Sequence, residues 1–106
     1  QEKKKMKAVR IRYEVEASFV DRNTTNLRSF MDALRRNPIE GLSFVAFVLD
    51  DKRTFVHVII ERDNTARGKM SAMPEFRTLQ TELEENCPAS SPSSNDLNFI
   101  DASYDF

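Results

Sequence analysis

The chain is poor in the residues that most small functional sites are built from. Its 106 residues hold one cysteine, one histidine, two glycines and no tryptophan. A single cysteine, Cys87, excludes an intramolecular disulfide and leaves the redox compartment open. With Pro88 beside it and no His or carboxylate in the next several residues, Cys87 reads as an inert loop thiol. One His and one Cys do not by themselves make a zinc site, so no metal is expected. Gly41 and Gly68 supply neither of the glycine-rich phosphate-binding loops. No apolar run approaches the roughly 20 residues of a membrane-spanning helix, so no membrane partner is expected. Nothing resembles the elbow that presents a catalytic serine.

Charge is balanced overall and uneven along the chain. Sixteen Lys and Arg face seventeen Asp and Glu, for a net −1. Residues 1–12 carry six cations against Glu2, a local +5, which leaves −6 for the rest. Residues 1–7 read as a solvated, disordered basic leader, and residues 8–106 as one domain. The remaining cations are scattered, and the sheet lacks the aromatic signature of RNA-binding domains, so no nucleic-acid partner is expected. The first residue is Gln1 rather than Met, which a cleaved export signal would explain, and so would trimming of the chain in cloning. A cytoplasmic location is expected, with export as the alternative.

Hydrophobic periodicity gives the element order. AVRIRYEVE, Ala8 to Glu16, alternates with period two and predicts a strand. Ser18 is placed to cap a helix whose apolar face is Val20, Thr24, Leu27, Phe30, Met31 and Leu34, ending at Asn37-Pro38. SFVAFVLD, a DDKR turn and TFVHVIIE predict a hairpin centred on Asp51-Lys52, with Ala46 opposite His57. A second helical region starts near Asn64, breaks between Gly68 and Pro74, and resumes with Phe76, Leu79 and Leu83 on one face. CPASSPSSN reads as a loop and DLNFIDASYDF as a last strand. Strand, helix, strand, strand, helix, strand is most simply a ferredoxin-like α+β protomer, an antiparallel sheet with both helices on one face.

The hairpin has two unlike faces. Val45, Phe47, Leu49, Val56 and Val58 make one nearly all apolar, the natural seat for the helices. Phe44, Val48, Phe55 and Ile59 share the other with His57, and with Arg10, Arg12 and Glu14 of the first strand. Leaving those four apolar side chains in water would forgo about 6–12 kcal/mol, at about 1.5–3 kcal/mol each. A homodimer formed through the sheet faces is therefore expected, with His57 on the dimer side.

RIRYEVEASFVDRNTTNLRSFMDALR, GLSFVAFVLDDKRTFVHVIIERD and MSAMPEFRTLQTEL resemble the antibiotic biosynthesis monooxygenase family of dimeric α+β barrels. The similarity spans roughly residues 8–86, residues 96–106 fit the final strand, and Ala72, Pro74 and Phe76 reproduce an A-x-P-x-F pattern. The resemblance implies a cofactor-free oxygenase that takes a small aromatic compound into a cavity between sheet and helices. It implies an apolar cavity, a few orienting hydrogen bonds and help with proton removal. The tryptophan of several active members has no counterpart here, and residues 65–86 lack the axial histidine of the haem-degrading branch. The candidate catalytic residues are then His57 and Tyr13, and the candidate binding residues Arg12, Tyr104, Met31 and Met73. The alternative function is a non-catalytic dimeric module, ligand-binding or structural, of the same fold.

Overall fold

The computed structural model describes residues 6–88 and 91–105. Of the leader expected over residues 1–7, residues 1–5 lie outside the described residues, and Lys7 already opens the first strand. That strand, β1 (Lys7–Glu14), follows the period-two alternation, with Tyr13 buried between exposed Arg12 and Glu14. A 3-10 turn, Ala17–Phe19, leads into α1 (Val20–Arg36). The expected Ser18 cap is not formed. The turn itself occupies the first backbone donors, with Phe19 N–H donating to the Glu16 carbonyl at 2.8 Å, so no side chain is required there. α1 ends one residue before Asn37-Pro38, as proline geometry demands.

The hairpin pairs β2 (Leu42–Val48) with β3 (Thr54–Glu61) in the expected register, Ala46 opposite His57. Its turn is held by Asp51 Oδ1, which accepts from the backbone N–H groups of Arg53 and Thr54 at 2.8 and 2.9 Å. Lys52 takes the left-handed conformation at φ 64°. The second helical region is two helices, α2 (Ala66–Ser71) and α3 (Pro74–Asn86), with Pro74 in the first turn of α3, where no N–H is needed.

The sheet order is β2-β3-β1-β4, all neighbours antiparallel, so β1 and β3 are central. The final strand differs from expectation. β4 is Ser93–Leu97, which begins inside the stretch read as a loop, and residues 98–105 form no strand. An edge strand exposed along its whole length needs no apolar alternation. Here β4 pairs with Ala8–Arg12 through backbone, assisted by Arg10 Nη2 donating to Asn95 Oδ1 at 2.5 Å.

The helices cover the opposite sheet face from the one expected. Tyr13, Phe55, His57 and Ile59 lie beneath them, packed with Phe30, Leu27, Met70 and Leu79. Val45 and Phe47 stand exposed on the other side, next to half-buried Val56 and Val58. Arg12 lies opposite Val56, so it belongs to that open face and not to His57's. Weighing apolar side chains alone misassigns the face, because it treats an imidazole as unburiable. A paired imidazole can be buried at modest cost. Among the described residues, no helix is long and apolar enough to cross a membrane.

Candidate functional site

Because β1 and β3 pair antiparallel with Ile11 opposite His57 and Tyr13 opposite Phe55, Tyr13 and His57 are diagonal neighbours on one face. Their side chains meet, with Tyr13 Oη 2.8 Å from His57 Nε2 and the rings edge-to-face at 5.0 Å. Tyr13 stacks on Phe55 at 5.6 Å, and His57 leans on Phe44 at 5.3 Å. Both are almost wholly buried, at 3% and 4% exposure.

A third residue completes the chain of contacts. α1 brings Asn23 over β1, and its Nδ2 donates to Tyr13 Oη at 2.9 Å. The Tyr13 hydrogen is then free to go to His57 Nε2, which leaves the imidazole proton on Nδ1. Asn23 is fully buried, and its Oδ1 has no hydrogen-bond partner among the described residues. Such an orphan costs about 1–3 kcal/mol, which marks the position as one set by something other than stability.

Burial governs the electrostatics. It lowers the His57 pKa to about 4, because the cationic ring loses its hydration. Burial also raises Tyr13 well above the usual phenol value; the Asn23 hydrogen bond partly opposes this and the nearby Cys87 adds to it. At neutral pH the pair is a neutral imidazole against a neutral phenol.

The pair lies in the wall of a cavity of about 560 Å³ between sheet and helices. Ile11, Phe44, Ile59, Met70, Phe76 and Leu79 give it apolar walls, and the exposed residues Arg67, Gln80 and the side chain of Glu84 line its solvent side. That volume suits a small organic molecule, and the mix of apolar wall with few polar groups is typical of ligand sites. Arg67 is not a free cation, because its Nε and Nη2 both donate to Oε2 of buried Glu61, at 2.6 and 2.5 Å. The roof is fixed from outside. Glu82 on α3 accepts two hydrogen bonds from Arg22 and one from Asn26, both on α1, and these hold its pKa down at about 2.

Of the residues singled out from sequence, the structure brings His57 and Tyr13 together. It places the others apart from them. Arg12 is exposed on the open sheet face, and Tyr104 is exposed in the segment after β4. Met31 is half-buried on α1 and does not line the cavity; Met73 packs at the edge of the core, and the thioether in the cavity wall is that of Met70. Asn23 was missed. It sits three residues after Val20 and four before Leu27, inside the apolar stripe of α1, and a polar residue in such a stripe was the available signal.

Element order, sheet order and one-sided helices define a ferredoxin-like α+β protomer. No family profile matches the sequence, and no curated protein matches it. Solved structures do. A proposed antibiotic biosynthesis monooxygenase from Bacteroides thetaiotaomicron superposes with a TM-score of 0.80 at 12% identity, over 95% of each chain. A second, from Nitrosomonas europaea, gives 0.73 at 12% identity, over 94% of this chain and 95% of that one. SnoaB from Streptomyces nogalater, a cofactor-independent oxygenase represented by a point mutant, gives 0.67 at 14% identity, over 94% and 98%. The chain thus has the fold of the antibiotic biosynthesis monooxygenases.

Proposed function

We propose that this protein binds a small hydrophobic aromatic compound between sheet and helices and oxidises it with O2, without a cofactor. The observation that carries the reading is the Tyr13–His57 pair, buried together in the wall of an otherwise apolar cavity. The oxygenase SnoaB shares the fold, which supports it.

The chemistry asks little of the protein. An electron-rich phenolic ring system that loses a proton can reduce O2 directly, a ring CH2 and O2 giving a ketone and water. His57 is the proton acceptor through Nδ1 in the tautomer whose Nε2–H donates to Tyr13 Oη, and Tyr13 fixes the ring. With no anion beside it, an imidazolium in this wall is strongly disfavoured. Beside a newly formed substrate anion the two charges compensate, so the proton moves only when a substrate is seated. The apolar walls keep water from the anion.

One observation favours the alternative of a binding module without chemistry: an imidazole with a pKa near 4 is a weak base. Oxygen uptake with reduced polycyclic phenols separates the two. Uptake by the wild type that falls at least tenfold in Tyr13→Phe and in His57→Gln supports the oxygenase. Tight binding of the same phenols without uptake assigns the module.

We propose also that the open sheet face pairs with a second copy. Phe47, 54% exposed, with Val45, Val56, Val58 and Leu97 forms an apolar surface on a molecule of this size. Sedimentation at micromolar concentration checks it, a species at 12.3 kDa contradicting the dimer.

A further inference from the structure

The orphaned oxygen of Asn23 has a use. Two amide orientations are compatible with a hydrogen bond to Tyr13. In the one observed, Nδ2 donates to Tyr13 Oη, Tyr13 donates to His57 Nε2, and the ring holds its hydrogen on Nδ1. Turned over, Oδ1 would accept the Tyr13 hydrogen, Tyr13 would accept from His57 Nε2–H, and Nδ1 would carry a bare lone pair. Among the described residues no other partner holds Oδ1 in place, so that acceptor stands ready for the second arrangement.

We infer that the Asn23 amide sets the direction of the Asn23–Tyr13–His57 chain, and through it which nitrogen of His57 carries the hydrogen. Asn23 is a positioning residue, acting on a cavity occupant only through Tyr13 and His57. The inference rests on the site proposed above, because it matters to chemistry only if His57 meets a ligand. The ring nitrogen that Tyr13 leaves free is the one available to an occupant. With Asn23 as observed, that nitrogen is a donor, suited to a quinone or ketone oxygen. With the amide turned, it becomes an acceptor, suited to a phenolic hydroxyl. One buried amide thereby gives the site two complementary forms, one for the reduced and one for the oxidised compound.

The test needs no ligand and no activity. His57 is the only histidine in the chain, so its two ring nitrogens give an unambiguous 15N spectrum. In the wild type at neutral pH, Nδ1 is expected to carry the hydrogen. In Asn23→Leu, which keeps bulk and removes both polar atoms, the Tyr13 hydrogen has only Nε2 to bond, and the Nδ1–H form persists. In Asn23→Asp at pH 9, the carboxylate takes the Tyr13 hydrogen and the spectrum switches to Nε2–H. An unchanged tautomer in Asn23→Asp overturns the inference, as does a switch in Asn23→Leu, which would assign the effect to packing. Should Asn23→Asp not fold, a wild-type spectrum dominated by Nε2–H overturns it equally. A protein that shows these tautomers and consumes no oxygen removes the oxygenase reading and leaves this one standing.

Discussion

One face of the sheet carries Tyr13, Phe44, Phe55, His57 and Ile59 and lies under the helices; the other carries Val45, Phe47, Val56 and Val58 and is open. By count of apolar side chains the open face is the cleaner of the two. What separates them is bulk and mutual satisfaction. Tyr13 and Phe55 on the covered face are almost wholly buried, and an aromatic side chain buries about 150–250 Å², more than a valine can. The polar atoms carried along with them, Tyr13 Oη and His57 Nε2, bond each other and Asn23. A core is chosen by area and by hydrogen-bond completeness, and two polar residues that satisfy each other do not exclude a face.

Paired substitutions across the sheet break this comparison most sharply. Phe55→Ala, on the covered face, should cost about 3–5 kcal/mol in a chemical denaturation series. Phe47→Ala on the open face should change protomer stability by less than about 1 kcal/mol, its effect appearing instead as weakened self-association in sedimentation.

The next largest effect is a pH dependence. The folded-state pKa of His57 is about 4, below its ordinary 6.5, so between those values the unfolded chain binds more protons. Stability should therefore be full above pH 6.5 and fall by up to about 3 kcal/mol as the pH drops to 4. Asp51 and Glu82, both held near 2, add their losses only below the ordinary carboxylate range. His57→Gln should flatten the slope between pH 6.5 and 5. Thermal melts across that range check it.

Smaller still, Tyr13→Phe keeps the ring stacked on Phe55 and removes the shared hydroxyl, leaving Asn23 Nδ2 and His57 Nε2 without it. The expected cost is about 1–3 kcal/mol by denaturation. Smallest is Arg12→Ala, an exposed side chain on the open face, expected within about 0.5 kcal/mol.

Much of the architecture was legible in sequence because it is written in local pattern. The alternation of β1, the proline stop of α1, the hairpin register and Pro74 at the start of α3 all follow from neighbours in the chain. β4 was not legible, since its residues are mostly polar and all exposed, and its pairing is made by backbone. The site was half legible. Tyr13 and His57 could be singled out one at a time, but their meeting depends on which face the helices choose. Asn23 stands out in sequence only as a polar residue in the stripe of α1, and its meeting with Tyr13 depends on the crossing of α1 over β1, which no local pattern encodes.

The most direct measurement is a proton NMR titration of the single imidazole from pH 8 to pH 3. A midpoint near 4 places His57 beneath the helices beside Tyr13, where the proposed chemistry needs it. A midpoint near 6.5 would put the ring in water and contradict the site.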